Sequence, residues 1–236
     1  MTELSTSTTH RLLRAMAENG LVHQDSAHRY SLGPLIVQLA RNGALPTTLR
    51  EAALPVMTRV RDQVNETVGL HELMPNGYRA VIDQVESHQD LRRSYTEFGI
   101  PLPLPHGAPG RTILAFLSED RQRWWLDQEL PPDTSATVVT SEAVLRDIAA
   151  TRSRGWAHPL GERTPGIRSV AAPVFDHSHQ PIGALSISVP AIRMSTERAH
   201  VLGPLIAEAA WEVSQILGAS ERPWPTSDAQ WQKRGR

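Results

Sequence analysis

The sequence contains no cysteine, which excludes disulfides, thiolate metal sites and cysteine nucleophiles together and suits a reducing compartment. No apolar run approaches the ~20 residues needed to cross a bilayer. The N-terminus lacks the basic-then-apolar pattern of a secretory signal, so a cytoplasmic location and no membrane partner are expected. Charge of one sign is also missing: 24 basic residues against 25 acidic ones leave a net charge of −1, so total charge singles out no partner. Neither a Gly-x-Ser-x-Gly elbow nor a Ser-x-x-Lys motif occurs. The histidines offer no metal-ligand spacing: His177 and His179 sit in a predicted turn, and His106 and His158 stand far apart. No enzyme, no metal and no cofactor are expected.

At 236 residues with 40% apolar content, the chain has room for one large domain or two modest ones. Charge is unevenly placed. Residues 1–50 hold five arginines (Arg11, Arg14, Arg29, Arg41, Arg50) against Glu3, Glu18 and Asp25, an excess of +2. A mildly basic end on an acidic body suits DNA binding joined to a separate sensing body.

The run Ser7–Val22 places Leu12, Leu13, Met16 and Ala17 on one helical face. Hydroxyl residues crowd its start and Asn19-Gly20 ends it. Beyond the stop, residues 21–23 and 28–33 read as two short strands around a polar turn at 24–27. A capped helix followed by a small hairpin reads as the recognition helix and wing of a winged helix-turn-helix. Ser5, Ser7, Thr8 and Thr9 lie where backbone N–H groups and hydroxyls favour phosphate oxygens. His10, Arg11 and Arg14 follow within reach of phosphate or guanine, and His28 and Arg29 are the wing's candidates for backbone or minor-groove contact. On spacing alone the same helix reads equally as a capped surface helix with solvated arginines.

A short apolar helix is predicted over 34–40, with a break at Gly43–Pro46. The next helix carries Leu49, Ala52, Ala53, Val56, Met57, Val60 and Val64 on one face, with Pro55 expected to bend it or split off its first turn. Strands are predicted at 68–74 and 79–86 around Asn76-Gly77, a hairpin signal, and a third at 92–98. A Pro-rich stretch then leads into a helix over about 111–117. Ser118 and Ser141 are expected to cap two further helices, the second burying Val144, Leu145, Ile148 and Ala149 and ending at Gly155. A strand near Trp156, a polar loop over 159–166, a hairpin of 168–175 with 182–189, and a long helix from Ser195 to Leu217 complete the pattern. The polar tail from Gly218 reads as disordered.

In Ala184–Val189, Leu185, Ile187 and Val189 form one face, while Ser186 and Ser188 point together to the other. Two hydroxyls on one face of an inner strand can hydrogen-bond a carboxylate or hydroxyl ligand; they can equally bond each other on a solvated face. Ser169, on the neighbouring strand, is expected to lie near them.

Three runs, STTHRLLRAMAENGLV with RYSLG, LPHGAPGRTILA, and GIRSVAAPVFDHSHQPIGALSISVP, resemble the IclR family of bacterial transcription regulators, and the likeness extends over about 5–218. It implies an α+β chain: a partial winged helix-turn-helix over 1–45, a linker helix over 46–66, and over 67–218 a GAF-like effector domain whose antiparallel sheet is covered by helices. Residues 219–236 are the tail. The resemblance implies that positions 169, 186 and 188 line a pocket for small organic acids, with His106, Gly107, Ala108 and Gly110 opening a helix whose N–H groups serve it. Where family members often carry an acidic run, this chain has Pro159-Leu160-Gly161-Glu162. Only Glu162 remains of that run, so aromatic or hydrophobic acids are expected as ligands. Too few residues precede the recognition helix for the two helices the family places there, so an incomplete head is expected. The implied partners are double-stranded DNA, an organic acid and further copies in a homodimer or dimer of dimers. The other reading is a ligand-sensing or dimerisation module that does not bind DNA.

Overall fold

The computed structural model describes residues 4–36, 48–128, 140–159 and 164–225. The chain divides into two compact units, Met1–Thr48 and Leu49–Arg236.

In the first unit, helix α1 (Thr6–Glu18) begins at Ser5, whose Oγ accepts the Thr8 N–H at 3.2 Å. It ends where Gly20 adopts φ +70°, a left-handed geometry that lets the Leu21 N–H reach the Met16 carbonyl at 2.9 Å. Strands β1 (Val22–Gln24) and β2 (Tyr30–Leu32) pair antiparallel, with Val22 opposite Leu32. β1 lies one residue later than the predicted 21–23 and β2 is shorter than the predicted 28–33, because Asp25 claims the turn: its Oδ1 accepts the Ala27 and Arg29 N–H groups, each at 2.9 Å. Residues 34–36 are helical, and the rest of the helix predicted to 40 lies outside the described residues, as does the break at 43–46.

The second unit opens with α2 (Leu49–Val64), whose buried stripe is Leu49, Ala52, Ala53, Val56, Met57 and Val60. Pro55 sits inside this helix without splitting off its first turn. Strands β3 (Thr67–Leu73), β4 (Arg79–Val85), β5 (Ile167–Phe175) and β6 (Pro181–Pro190) form one antiparallel sheet in the order β4-β3-β6-β5. Between β4 and β5 come α3 (Gly107–Phe116), α4 (Glu119–Leu126) and α5 (Ser141–Arg154); α6 (Thr196–Ile216) follows β6. One face of the sheet, with Val68, Leu70, Val170, Val174, Leu185 and Ile187, packs on α2 and α6. The other face lies under α3, where Ala184 joins Ile113, Leu114 and Trp125.

Several expectations are corrected. No strand forms at 92–98. That segment is held to β4 by one side chain instead: the Tyr95 N–H donates to Gln84 Oε1 at 2.8 Å and Gln84 Nε2 donates to the Tyr95 carbonyl at 3.1 Å. Helix α3 starts at Gly107 rather than 111, because Pro109 falls in its first turn, where a missing N–H costs nothing. Ser118 makes no side-chain cap bond. Thr140, not Ser141, caps α5, accepting the Ala143 N–H at 3.2 Å. Its buried stripe is Val144, Ile148 and Thr151, leaving Leu145 and Ala149 exposed. Gly155 ends that helix at φ +83°, as its position predicts. Residue 157 makes only an isolated bridge, to Ala171. The tail is not disordered where it is described: Trp224 is 4% exposed and packs on Phe116, Phe175 and Trp211. Arg222 fixes its approach through a two-point ion pair with Glu208 at 2.6 and 2.7 Å. Residues 226–236 lie outside the described residues.

Candidate functional site

The face of the sheet turned toward α3 owes its chemistry to register. Ser169 of β5 and Thr67 of β3 flank Ser188 of β6; Ala171 and Gly69 flank Ser186; His71 lies opposite Ala184. Strand alternation therefore gathers Ser169, Ser186, Ser188 and His71 on one surface while their neighbours fill the apolar core. A bulge in the β3–β4 pairing at Leu70/His71 keeps Arg79, Val81 and Gln84 on this same side.

A buried polar chain crosses that surface. Arg79 NH1 lies 3.1 Å from His71 Nδ1, and His71 Nε2 lies 3.1 Å from Ser186 Oγ. A guanidinium only donates, so Nδ1 accepts and the ring proton sits on Nε2, which donates to Ser186. Ser186 Oγ in turn donates to the Gly69 carbonyl at 3.4 Å. The second nitrogen, Arg79 NH2, donates to the His106 carbonyl at 3.0 Å, tying the start of α3 to the sheet. Above this chain the Tyr95 hydroxyl lies 2.8 Å from Ser188 Oγ, with the ring edge-on to His71 and the Arg93 guanidinium 4.6 Å from its centroid.

Between these groups and α3 is a cavity of about 410 Å³, counted out to its open mouth. His71, Arg79, Tyr95, Ser169 and Ser188 form its polar side; Arg93, Gly107, Pro109, Thr164 and Ile167 complete it. Two guanidinium groups, an imidazole, hydroxyls and the first turn of α3 face the space, and no carboxylate is among the described residues that line it. Such a wall favours an anion with oxygen acceptors.

Of the residues singled out from sequence, Gly107, Ser169 and Ser188 line this cavity. Ser186 lies one layer beneath, bonded to His71. His106 is the residue before α3 and is buried; Ala108 packs on Ala157 and Ala171 instead of facing the space. Gly110 permits close packing: a Cβ there would stand 2.2 Å from the Leu104 carbonyl oxygen and 2.9 Å from Arg79 Nε. Glu162 lies outside the described residues. His158 holds the rim from behind, its Nδ1 2.9 Å from the Ser169 carbonyl. Burial pushes its pKa down, the bond to Ser169 opposes that, and Arg154, Arg168 and His200 push it further down. Sequence reasoning missed His71, Arg79, Arg93 and Tyr95. One signal was present: Thr67, Gly69 and His71 alternate with Val68 and Leu70 as plainly as the serines of β6 alternate with their apolar neighbours.

In the first unit the N-terminus of α1 carries no acidic residue in its first turn. The hydroxyls of Ser7 and Thr8 bond to Ser5 Oγ at 3.0 and 2.8 Å, and Thr9 Oγ1 donates to the Ser5 carbonyl at 3.1 Å. His10 and Arg11 are exposed. Arg14 pairs with Glu18 at 3.0 Å. At the wing tip His28 takes φ +59° and Arg29 Nε pairs with Asp25 at 2.8 Å. The Arg29 backbone N–H, followed by its guanidinium, holds the Asp25 carboxyl below its ordinary range. Among the described residues, no group of three or more His, Asp or Glu side chains could hold a metal ion, and no helix is long and apolar enough to cross a membrane.

Comparison with known proteins adds independent observations. The family described as "Bacterial transcriptional regulator IclR C-terminal" matches residues 45–215, and the IclR helix-turn-helix domain matches residues 1–26. The acetate operon repressor of Salmonella typhimurium is 33% identical over 227 residues, covering 92% of this chain and 80% of that protein. The crystal structure of the Thermotoga maritima IclR superposes with TM-score 0.67 at 28% identity, covering 91% and 87% of the two chains. An IclR homolog from Microbacterium hydrocarbonoxydans, complexed with 4-hydroxybenzoate, gives TM-score 0.66 at 26% identity over 92% and 88%.

Proposed function

Because this chain belongs to the IclR family of bacterial transcriptional regulators, we propose that a small organic acid, seated in the cavity beside Ser188 and Arg79, sets its affinity for operator DNA. The observation that carries the reading is the cavity wall: hydroxyls, guanidinium groups and a helix N-terminus converge without a facing carboxylate. The 4-hydroxybenzoate held by the Microbacterium relative supports an aromatic acid as one member of the ligand class.

DNA contact belongs to α1 and the wing. Ser5, Ser7, Thr8 and Thr9 position the helix start on phosphate, Arg11 and His10 reach the groove, and Arg14, His28 and Arg29 add backbone contacts. The regulator acts in the cytoplasm as a homodimer or dimer of dimers. Ligand occupancy shifts the population of dimer arrangements and so the spacing of paired DNA-reading heads.

A thermal-shift screen of the chain against aliphatic and aromatic carboxylic acids, with Ser188→Ala alongside, tests the pocket. A stabilising acid whose effect shrinks in the variant supports it; no stabilisation by any acid overturns it. Fluorescence anisotropy with DNA from the protein's own promoter tests the first unit. Absence of salt-sensitive binding would favour the sensing-module reading instead.

A further inference from the structure

We propose that Tyr95 is the residue that sets ligand length, a side-chain partition between two chambers that together take an acid with an apolar tail. This rests on the cavity being an organic-acid site. A second cavity of about 290 Å³ lies against the first, and the two share Arg93 and Tyr95 as a common wall. Their linings differ in charge and in aliphatic content. The inner one presents Arg79, Ser169 and Ser188 and no carboxylate among the described residues; the outer one presents Thr96 and Glu97 together with the side chains of Val81, Ile100 and Leu102. A carboxylate fits the first chamber, and a tail lying along Val81, Ile100 and Leu102 fits the second, with Glu97 there opposing a second anionic group and the phenol ring between the two.

The ring is held more lightly than the chain that carries it. Its backbone is fixed at both polar groups by the Gln84 side chain. The side chain has one hydrogen bond, from its hydroxyl to Ser188, an edge contact with His71 and the overlying Arg93. Rotation about χ1 therefore opens the wall without moving the backbone. The ring's seat also depends on an absent side chain: a Cβ on Gly69 would come within 2.9 Å of Tyr95 Cε2. Short acids bind with Tyr95 in place, since the Ser188 hydroxyl can accept from tyrosine while donating to a carboxylate. Longer acids must displace it.

The test compares propionate with 3-phenylpropionate, two acids alike at the carboxylate, by titration calorimetry on the full chain. Tyr95→Ala should raise the affinity ratio of the long acid to the short one by about tenfold or more, and Tyr95→Phe, lacking only the bond to Ser188, by about fivefold. Gly69→Ala, which expels the ring without altering it, should shift the ratio in the same direction and guards against a misfolded Tyr95→Ala. An unchanged ratio in the variants that fold, with propionate still bound and weakened in Ser188→Ala, overturns the partition alone. If neither acid binds wild type or any variant, the acid-site reading falls and the partition with it.

Discussion

His71 Nε2 and Ser186 Oγ, both buried, lie 3.1 Å apart, with Arg79 NH1 on the opposite ring nitrogen at 3.1 Å. Ser186 is thus the acceptor that fixes the imidazole, whereas Ser188 faces the cavity. The two serines should separate in experiment. Ser186→Ala leaves a buried N–H without its acceptor and should cost about 1–3 kcal/mol of stability, with acid affinity changed only slightly. Ser188→Ala should cost less stability and weaken acid binding by about tenfold, the worth of a hydrogen bond to a charged group. Chemical denaturation and calorimetry on both variants check this; equal effects on the two readouts would show that the serines are not divided in this way.

A second prediction concerns Glu66. Its carboxylate is fully buried and receives Arg193 Nε at 3.0 Å, Arg193 NH2 at 2.8 Å and Arg198 NH2 at 2.9 Å, pinning the start of β3 to the turn before α6 and to the helix itself. The two guanidinium groups keep part of their surface in water, at 23% and 32% exposure. Removing Arg193 leaves a buried anion with the single Arg198 bond in place of three, while removing the acid leaves cations that can still be hydrated. Arg193→Ala should therefore cost more, about 3 kcal/mol, than Glu66→Gln. Urea midpoints for the pair decide it, and the reverse order would refute the argument.

Periodicity made β6 legible, because one face had to be apolar and Ser186 and Ser188 were left on the other. It also placed the buried stripe of α2. What it could not show was side-chain substitution for backbone pairing. The segment around Arg93 and Tyr95 alternates like a strand, yet its partner is the Gln84 amide rather than a ladder. Gln84 reaches it only because the bulge at Leu70/His71 shifts β4 by one residue, and such a shift changes which face every later side chain occupies. Arg79 was hidden for a related reason: at the start of a hairpin strand an arginine reads as solvated, whereas here it is 1% exposed beneath α3. The end of the chain failed differently. A polar average over the tail conceals the aromatic side chain of Trp224, whose burial orders the described part of the tail.

His158 gives the fold a pH dependence of definite sign. Burial holds its pKa below the ordinary histidine value, so the unfolded chain binds this proton more readily than the folded one. Stability from the neutral imidazole is fully present above the unfolded value and is lost as pH falls from there toward the depressed folded value. Melting temperature should drop between about pH 7.5 and 5.5, and His158→Gln should flatten that part of the curve. A variant with the wild-type slope would assign the dependence to other groups.

The last prediction tests the anchored tail. Trp224 closes an aromatic cluster with Phe116, Phe175 and Trp211, and its indole lies so close to Gly155 that a Cβ there would stand 2.3 Å from Nε1. Trp224→Ala removes a large buried side chain and should cost about 3 kcal/mol or more. Gly155→Ala should destabilise through two additive faults: a left-handed backbone imposed on a residue with a Cβ, and displacement of the indole. Because the second fault needs Trp224 in place, combining the two substitutions should cost less than the sum of the single costs. A double-mutant cycle in urea reads this directly. Strict additivity would mean that Trp224 does not rest against Gly155 in solution, and that the end of α5 and the tail are independent of each other.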